Sequence, residues 1–298
     1  MQNLREIRRL LDEAGLRPRR EFGQCFLIDG NLMGKLLELA DLSGGETVLE
    51  VGPGTGSLTE ELLDRSSRVV AVEIDRGLAA MLRRRLGGRS GFVLIQGDVL
   101  AGKHALSATV LEALPADAHL VSNLPYNVAT PVVAECLLQS WRALRRGAEP
   151  GVSRLTFTVQ REAADRLAAG PGNKAYGPVS VLIALLGRVR LGPAVPAAAF
   201  WPRPKVASRL VRIDFAADRA ACVADADVLV DVLALSFGQR RKQLRAITRR
   251  KGSPFEVSAL AAALAEAGVD LSARPDRMAP EQYRDLANAL SPGAAGGP

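Results

Sequence analysis

The chain has 298 residues, 48% hydrophobic and 24% charged, with a formal net charge of +7, the composition of a soluble globular protein with room for one large domain and a small one. No apolar run approaches the ~18 residues that a membrane helix needs. Three dispersed cysteines (Cys25, Cys136, Cys222) and two isolated histidines (His104, His119) form neither a disulfide framework nor a metal-ligand pattern, so the expectation is a cytoplasmic protein without metal or membrane, and a monomer is expected.

Leu4, Ile7, Leu10 and Leu11 fall at helical spacing among charges, with Gly15 as a stop, which predicts an amphipathic helix rather than a signal peptide. From Glu46 short apolar runs alternate with helical patterns. TVLEVG, RVVAVEID, FVLIQGD, HLVSN and RLTFTVQ predict strands; SLTEELLDR, RGLAAMLRRRLG, TPVVAECLLQSWRAL and REAADRLAA predict helices. That rhythm predicts βαβ units and an α/β, doubly wound parallel sheet. VSVLIALL and RVRLGP read as further strand material, with a helix left open for the first, and VASRLVRIDF as a final strand. Past Ala216 the pattern is wholly helical. The expected domains are therefore 1–216, holding the sheet, and 217–298, all-helical, with a disordered tail SPGAAGGP.

VLEVGPGTGSLTEEL (48–62) sets Gly52, Gly54 and Gly56 between a strand and a helix, where a backbone turns tightly and approaches a ligand closely. Ser57 stands where a dinucleotide fingerprint needs its last glycine, which disfavours a pyrophosphate. Glu50, ahead of the glycines, would repel an anion and favour a sulfonium or amino group. Glu73 ends the next strand, where a carboxylate pairs with ribose hydroxyls. Asp98 ends the third, able to accept from an adenine amine, whereas Asp75 reads as a helix N-cap. Acids at successive strand ends around a glycine loop describe a site for a cationic nucleoside, and S-adenosyl-L-methionine fits.

The fourth strand delivers Ser122-Asn123-Leu124-Pro125-Tyr126 to the same sheet edge. An exocyclic adenine amine is a poor nucleophile because its lone pair is delocalised, and it must become tetrahedral to attack a methyl group. Two acceptors aimed at its hydrogens favour that geometry and the developing positive charge. The Asn123 amide oxygen is one. The Leu124 carbonyl is the other, aimed by Pro125, which holds Leu124 extended. Tyr126 offers a face for a base that has left its stack. An ordinary strand-end turn would use Asn and Pro as well; the glycine loop upstream argues for the chemistry.

GQRRKQLRAITRRK (238–251) holds seven basic residues and no acidic one. It reads as a helix with Arg241, Arg245 and Thr248 on one face and Leu244 and Ile247 turned elsewhere. Arg240, Arg241, Lys242 and Arg245 are the candidate phosphate contacts, since a merely solvated helix usually alternates charge signs.

Taken together, VLEVGPGTGSLTEEL, SNLPYN, TVQREAADRLAA, VPAAAFWPRPKVASRLVRI and SFGQRRKQLR resemble the ribosomal RNA adenine dimethyltransferases, in their bacterial small-subunit (16S) branch, over about Leu16 to Leu290. The resemblance implies a Rossmann-like S-adenosylmethionine-dependent methyltransferase sheet with a helical C-terminal domain. It implies cofactor contacts at Cys25, Leu27, Gly52, Glu73, Asp98 and Asn123, and a clamp in which Phe200 faces Tyr126 across the target base. The implied reaction is transfer of two methyls to N6 of each of two adjacent adenines in the 3′-terminal hairpin of 16S rRNA, within the immature small subunit. Cys25 stands where the family usually has Asn or His, Pro178 where Arg is common and Ala207 where Asp is common. The rival readings are the same chemistry on 23S rRNA, as in macrolide resistance, a non-catalytic assembly or transcription factor, and a nicotinamide oxidoreductase. The SFGQRRKQLR stretch argues against the first, an intact Asn123-Leu124-Pro125-Tyr126 against the second, and Ser57 against the third.

Overall fold

A computed structural model describes residues 1–102, 105–249 and 252–292. His104, Arg250, Lys251 and the tail beyond Pro292 lie outside the described residues. The chain forms two compact units, Met1–Ala164 with Val189–Phe215, and Asp165–Arg188 with Ala216–Pro298. The expected division at Ala216 coincides with one edge of these units. The segment Asp165–Arg188 groups with the later helices rather than with the sheet.

The first unit begins with α1 (Leu4–Glu13), β1 (Phe26–Leu27) and α2 (Gly30–Ala40). There follow β2 (Thr47–Val51), α3 (Ser57–Leu63), β3 (Arg68–Glu73), α4 (Arg76–Leu86), β4 (Phe92–Gln96) and α5 (Ala108–Ala113). Next come β5 (Ala118–Asn123), α6 (Ala129–Arg145) and β6 (Val152–Gln160), which leads into α7 (Arg161–Leu167). After α8 (Pro178–Leu186) the large sheet is completed by β7 (Gly187–Val195) and β9 (Ser208–Phe215), while β8 (Phe200–Trp201) pairs with β1 in a separate antiparallel ladder.

Seven strands form one sheet in the order β4-β3-β2-β5-β6-β9-β7. The first five are parallel, and β9 runs antiparallel to β6. Every residue of β2 is buried, as a strand covered on both faces requires. The chain moves outward from β2 through β3 to β4, then returns to lay β5 on the other side of β2. That reversal opens a crevice at the carboxyl ends of β2 and β5, where open α/β sheets place their ligands. Leu36, Leu37, Val48, Leu62, Val69, Val121 and Leu210 belong to the apolar cluster beneath it.

In the second unit α9 (Ala217–Ala220), α10 (Ala226–Phe237) and α12 (Pro280–Leu290) pack on α8, and α11 (Val257–Glu266) packs on α12. Phe237 stacks on Tyr283 at 5.6 Å and meets Tyr176 edge-on at 6.0 Å. Both buried tyrosine hydroxyls donate to backbone carbonyls, Tyr176 to Met278 at 3.0 Å and Tyr283 to Pro275 at 2.7 Å, so neither is left unsatisfied.

Two expectations are corrected. VSVLIALL is helical rather than extended. A run apolar on every side carries no period, and the start signal is Pro178 at the first turn, with Ser180 Oγ accepting from Gly177 N–H. The basic stretch is not an α-helix. Turns follow Gly238, and Leu244–Arg249 is a 3-10 helix. The cause is tertiary: the N–H groups of Leu244 and Arg245 donate to the carbonyls of Ala273 and Leu271, not to carbonyls one helical turn back.

Candidate active site

The crevice is a concave cleft lined by the glycine loop, the ends of β3 and β5, and the segment before β1. Its floor is the glycine loop after β2. Gly52 and Gly54 have φ of +71° and +61°, a region that side chains rarely occupy. A Cβ on Gly54 would lie 2.7 Å from the Phe26 ring, so only glycine fits between the loop and that wall.

Glu73 is 3% exposed at the tip of β3, and its carboxylate accepts from Gly54 N–H at 3.1 Å and Asp75 N–H at 2.9 Å. It therefore ties the glycine loop to the tip of β3. Burial pushes its carboxyl up to about 7. Glu50 behaves differently from the expectation of a standing negative charge. It is 2% exposed, it accepts from Thr59 Oγ1 at 2.7 Å, and burial pushes it up to about 8. Asp98 is exposed on the cleft lip, where one oxygen accepts from Leu100 N–H at 2.9 Å. Asp75 is the N-cap of α4, accepting from Gly77 and Leu78.

The opposite wall comes from β5 and the segment before β1. Asn123 Nδ2 donates to the Cys25 carbonyl at 2.7 Å, and Asn123 Oδ1 accepts from the Thr158 hydroxyl. At Cys25 the backbone thus makes the contact, while burial raises the half-buried thiol above its ordinary range. Leu27 lines the cleft with a buried side chain. Leu124 is buried, and none of the described backbone N–H groups takes its carbonyl. Pro125 and Tyr126 complete the wall, the Tyr126 hydroxyl lying 3.0 Å from Ser208 Oγ, which fixes the ring.

The cleft thus gathers Cys25, Leu27, Gly52, Gly54, Glu73, Asp98 and Asn123 to Tyr126. It does not include Phe200. Phe200 is 2% exposed, pairs with Leu27 across the short β1–β8 ladder and sits in the apolar cluster under the sheet edge. In the other unit, Arg241, Lys242 and Arg245 are exposed, but Arg240 is engaged. Its guanidinium donates to the Lys174 carbonyl at 2.6 Å and lies 3.6 Å from the Asp276 carboxylate.

A model of the ribosomal RNA adenine dimethylase family matches residues 15–291. The chain belongs to this family. Among its relatives, a ribosomal RNA small subunit methyltransferase A of Arthrobacter sp. (strain FB24) is 42% identical over 90% of this chain and 86% of its own. One of the same name from Phenylobacterium zucineum (strain HLK1) is 38% identical over 97% and 94%. Of solved structures, a dimethyladenosine transferase from Plasmodium falciparum shares the fold, with TM-score 0.69 at 20% identity, covering 88% of this chain and 95% of that one. The 23S rRNA methyltransferase ErmE aligns with TM-score 0.60 at 27% identity over 89% and 99%. Rossmann-like rRNA methyltransferases are therefore the structural class of this family member.

Three residues of this dimethylase site escape motif reading. Ile74, 45% exposed beside Glu73, and buried Val99 are apolar surfaces able to flank a planar base. Their signal is an apolar residue next to the acid at each strand end. Thr158 has no local signal, because it reaches the site through strand register.

Proposed function

We propose that the protein transfers methyl groups from S-adenosyl-L-methionine to N6 of two adjacent adenines in the 3′-terminal hairpin of 16S rRNA, two per adenine, during assembly of the small subunit. Family membership and relatives named as small-subunit methyltransferases support the substrate. One observation carries the chemistry. Asn123 and Leu124, whose amide oxygen and backbone carbonyl are the acceptors this reading assigns to the target amine, line a cleft whose floor is a glycine loop and whose buried carboxyls suit a cationic nucleoside.

The site fits the cofactor. Glu50 and Glu73 would each gain from a positive, hydroxyl-bearing ligand that offsets their burial, and Gly52 and Gly54 leave room for its close approach. When bound, the cofactor supplies an electrophilic methyl group on a sulfonium. Glu73 and Asp98 would hold its ribose and adenine, with Cys25, Leu27 and Asn123 along its other side. Asn123 Oδ1 and the Leu124 carbonyl accept the two hydrogens of the target amine, favouring a pyramidal nitrogen and stabilising the charge that develops on it. Tyr126 supplies the stacking face. No general base is needed before attack, because the nitrogen turns acidic only once alkylated. This reading is of a monomeric enzyme in the cytoplasm, where ribosomes assemble. Arg241, Lys242 and Arg245 are assigned to phosphate contact.

The test is mass spectrometry of the 3′ hairpin of 16S rRNA after undermethylated small subunits are incubated with the protein and S-adenosyl-L-methionine. A gain of four methyls on two adenines is expected; an unmodified hairpin contradicts the reading. The likeness to ErmE favours a second substrate, 23S rRNA, which the same assay on large subunits and free 23S rRNA excludes or establishes.

A further inference from the structure

We propose that Thr158 is a positioning residue for methyl transfer: its hydroxyl holds the Asn123 amide so that one oxygen lone pair faces the target amine. This inference rests on the function proposed above.

Parallel pairing of β5 with β6 sets Asn123 opposite Thr158, which puts the two side chains on the same face of the sheet. Thr158 is fully buried and does not line the cleft, so it touches the reaction only through Asn123. An asparagine amide has two unlike ends on one broad torsion, and each end needs its own restraint. The Cys25 carbonyl can only accept, so Nδ2 must face it, and a flipped amide would set two acceptors against each other. That contact alone leaves the amide free to swing about a single hydrogen bond. Donation from Thr158 to Oδ1 removes the swing.

It also takes one of the two lone pairs on Oδ1. A single acceptor position then remains on Asn123 for an amine that carries two hydrogens. The Leu124 carbonyl, which no described backbone N–H occupies, is what the second hydrogen requires. Thr158 thereby fixes both the direction of the Asn123 dipole and the division of labour between the two acceptors.

The test compares Thr158→Val, nearly isosteric and without the hydroxyl, with Thr158→Ser, which keeps it. Each full-length variant is assayed on undermethylated small subunits and titrated with S-adenosyl-L-methionine. For Thr158→Val we expect kcat to fall on the order of 10- to 100-fold, with the cofactor Kd nearly unchanged, as for other residues that orient a catalytic group. Thr158→Ser should restore most of the rate. Thr158→Ala removes the same hydroxyl and carries the test if the valine variant does not fold. A hydroxyl-free variant with wild-type kcat overturns the inference, as does a serine variant as slow as the valine one. An inactive wild-type protein instead overturns the proposed function, and this inference with it.

Discussion

Gly52 and Pro125 meet across the cleft so closely that a Cβ on Gly52 would lie 2.9 Å from the proline Cγ. The loop that turns after β2 and the motif that ends β5 are therefore one packed unit. Gly52→Ala combines this clash with a left-handed backbone at φ +71°, so a loss of about 1–3 kcal/mol of stability is expected. Cofactor affinity should weaken with it. Urea unfolding and calorimetric titration check both; unchanged values would mean that the two segments separate freely.

Removing the Asn123 amide tests the acceptor pair. Asn123→Ala should lower the single-turnover rate by at least about 100-fold, the scale seen when one preorganised polar group is lost, while cofactor binding weakens only modestly. Equal losses in rate and binding would make Asn123 a cofactor ligand.

Glu50 and Glu73 give the free protein a pH signature. Both carboxyls are raised, to about 8 and about 7, from a starting value of 4.5. The folded state thus holds protons that the unfolded state has released. The resulting stability is full below pH 4.5 and is lost as pH rises through the folded values, so unfolding free energy should decline between about pH 5 and 8. A cationic ligand reverses the preference. Its binding should release protons, and its affinity should rise over the upper part of that window. Glu50→Gln is expected to flatten both profiles, read by denaturation and by titration in buffers of different ionisation enthalpy. Identical profiles would remove Glu50 from cofactor binding.

The basic residues of the helical unit divide into two groups. Replacing Arg241, Lys242 and Arg245 together by Gln should weaken subunit binding and reduce the salt dependence by up to about three in the log–log slope, one for each phosphate no longer neutralised. Arg240→Gln should leave that slope nearly unchanged and instead destabilise the helical unit, because Arg240 engages the Lys174 carbonyl and Asp276. Filter binding across a salt series and thermal unfolding separate the two effects.

Features that depend on local chemistry were legible in the sequence. The glycines after β2, Glu73 at a strand tip and the Asn123-Leu124-Pro125-Tyr126 turn each carry their reason within a few residues. Those that depend on distant partners were not. The basic stretch has a helical pattern, yet its backbone N–H groups bond to Leu271 and Ala273. Nothing local to Phe200 shows that it pairs with Leu27 and joins the apolar cluster under the sheet edge. Glu50 reads as a standing charge, and only its burial, beside Thr59, pushes its carboxyl well above the ordinary range. Thr158 is one of many strand threonines until the register places it opposite Asn123.

The most direct test of the acceptor pair is a crystal structure of the protein with a demethylated cofactor analogue and an adenosine-containing RNA hairpin. The target N6 is expected about 3 Å from both Asn123 Oδ1 and the Leu124 carbonyl, with the base against Tyr126. An ordered adenine whose N6 contacts neither oxygen would contradict it.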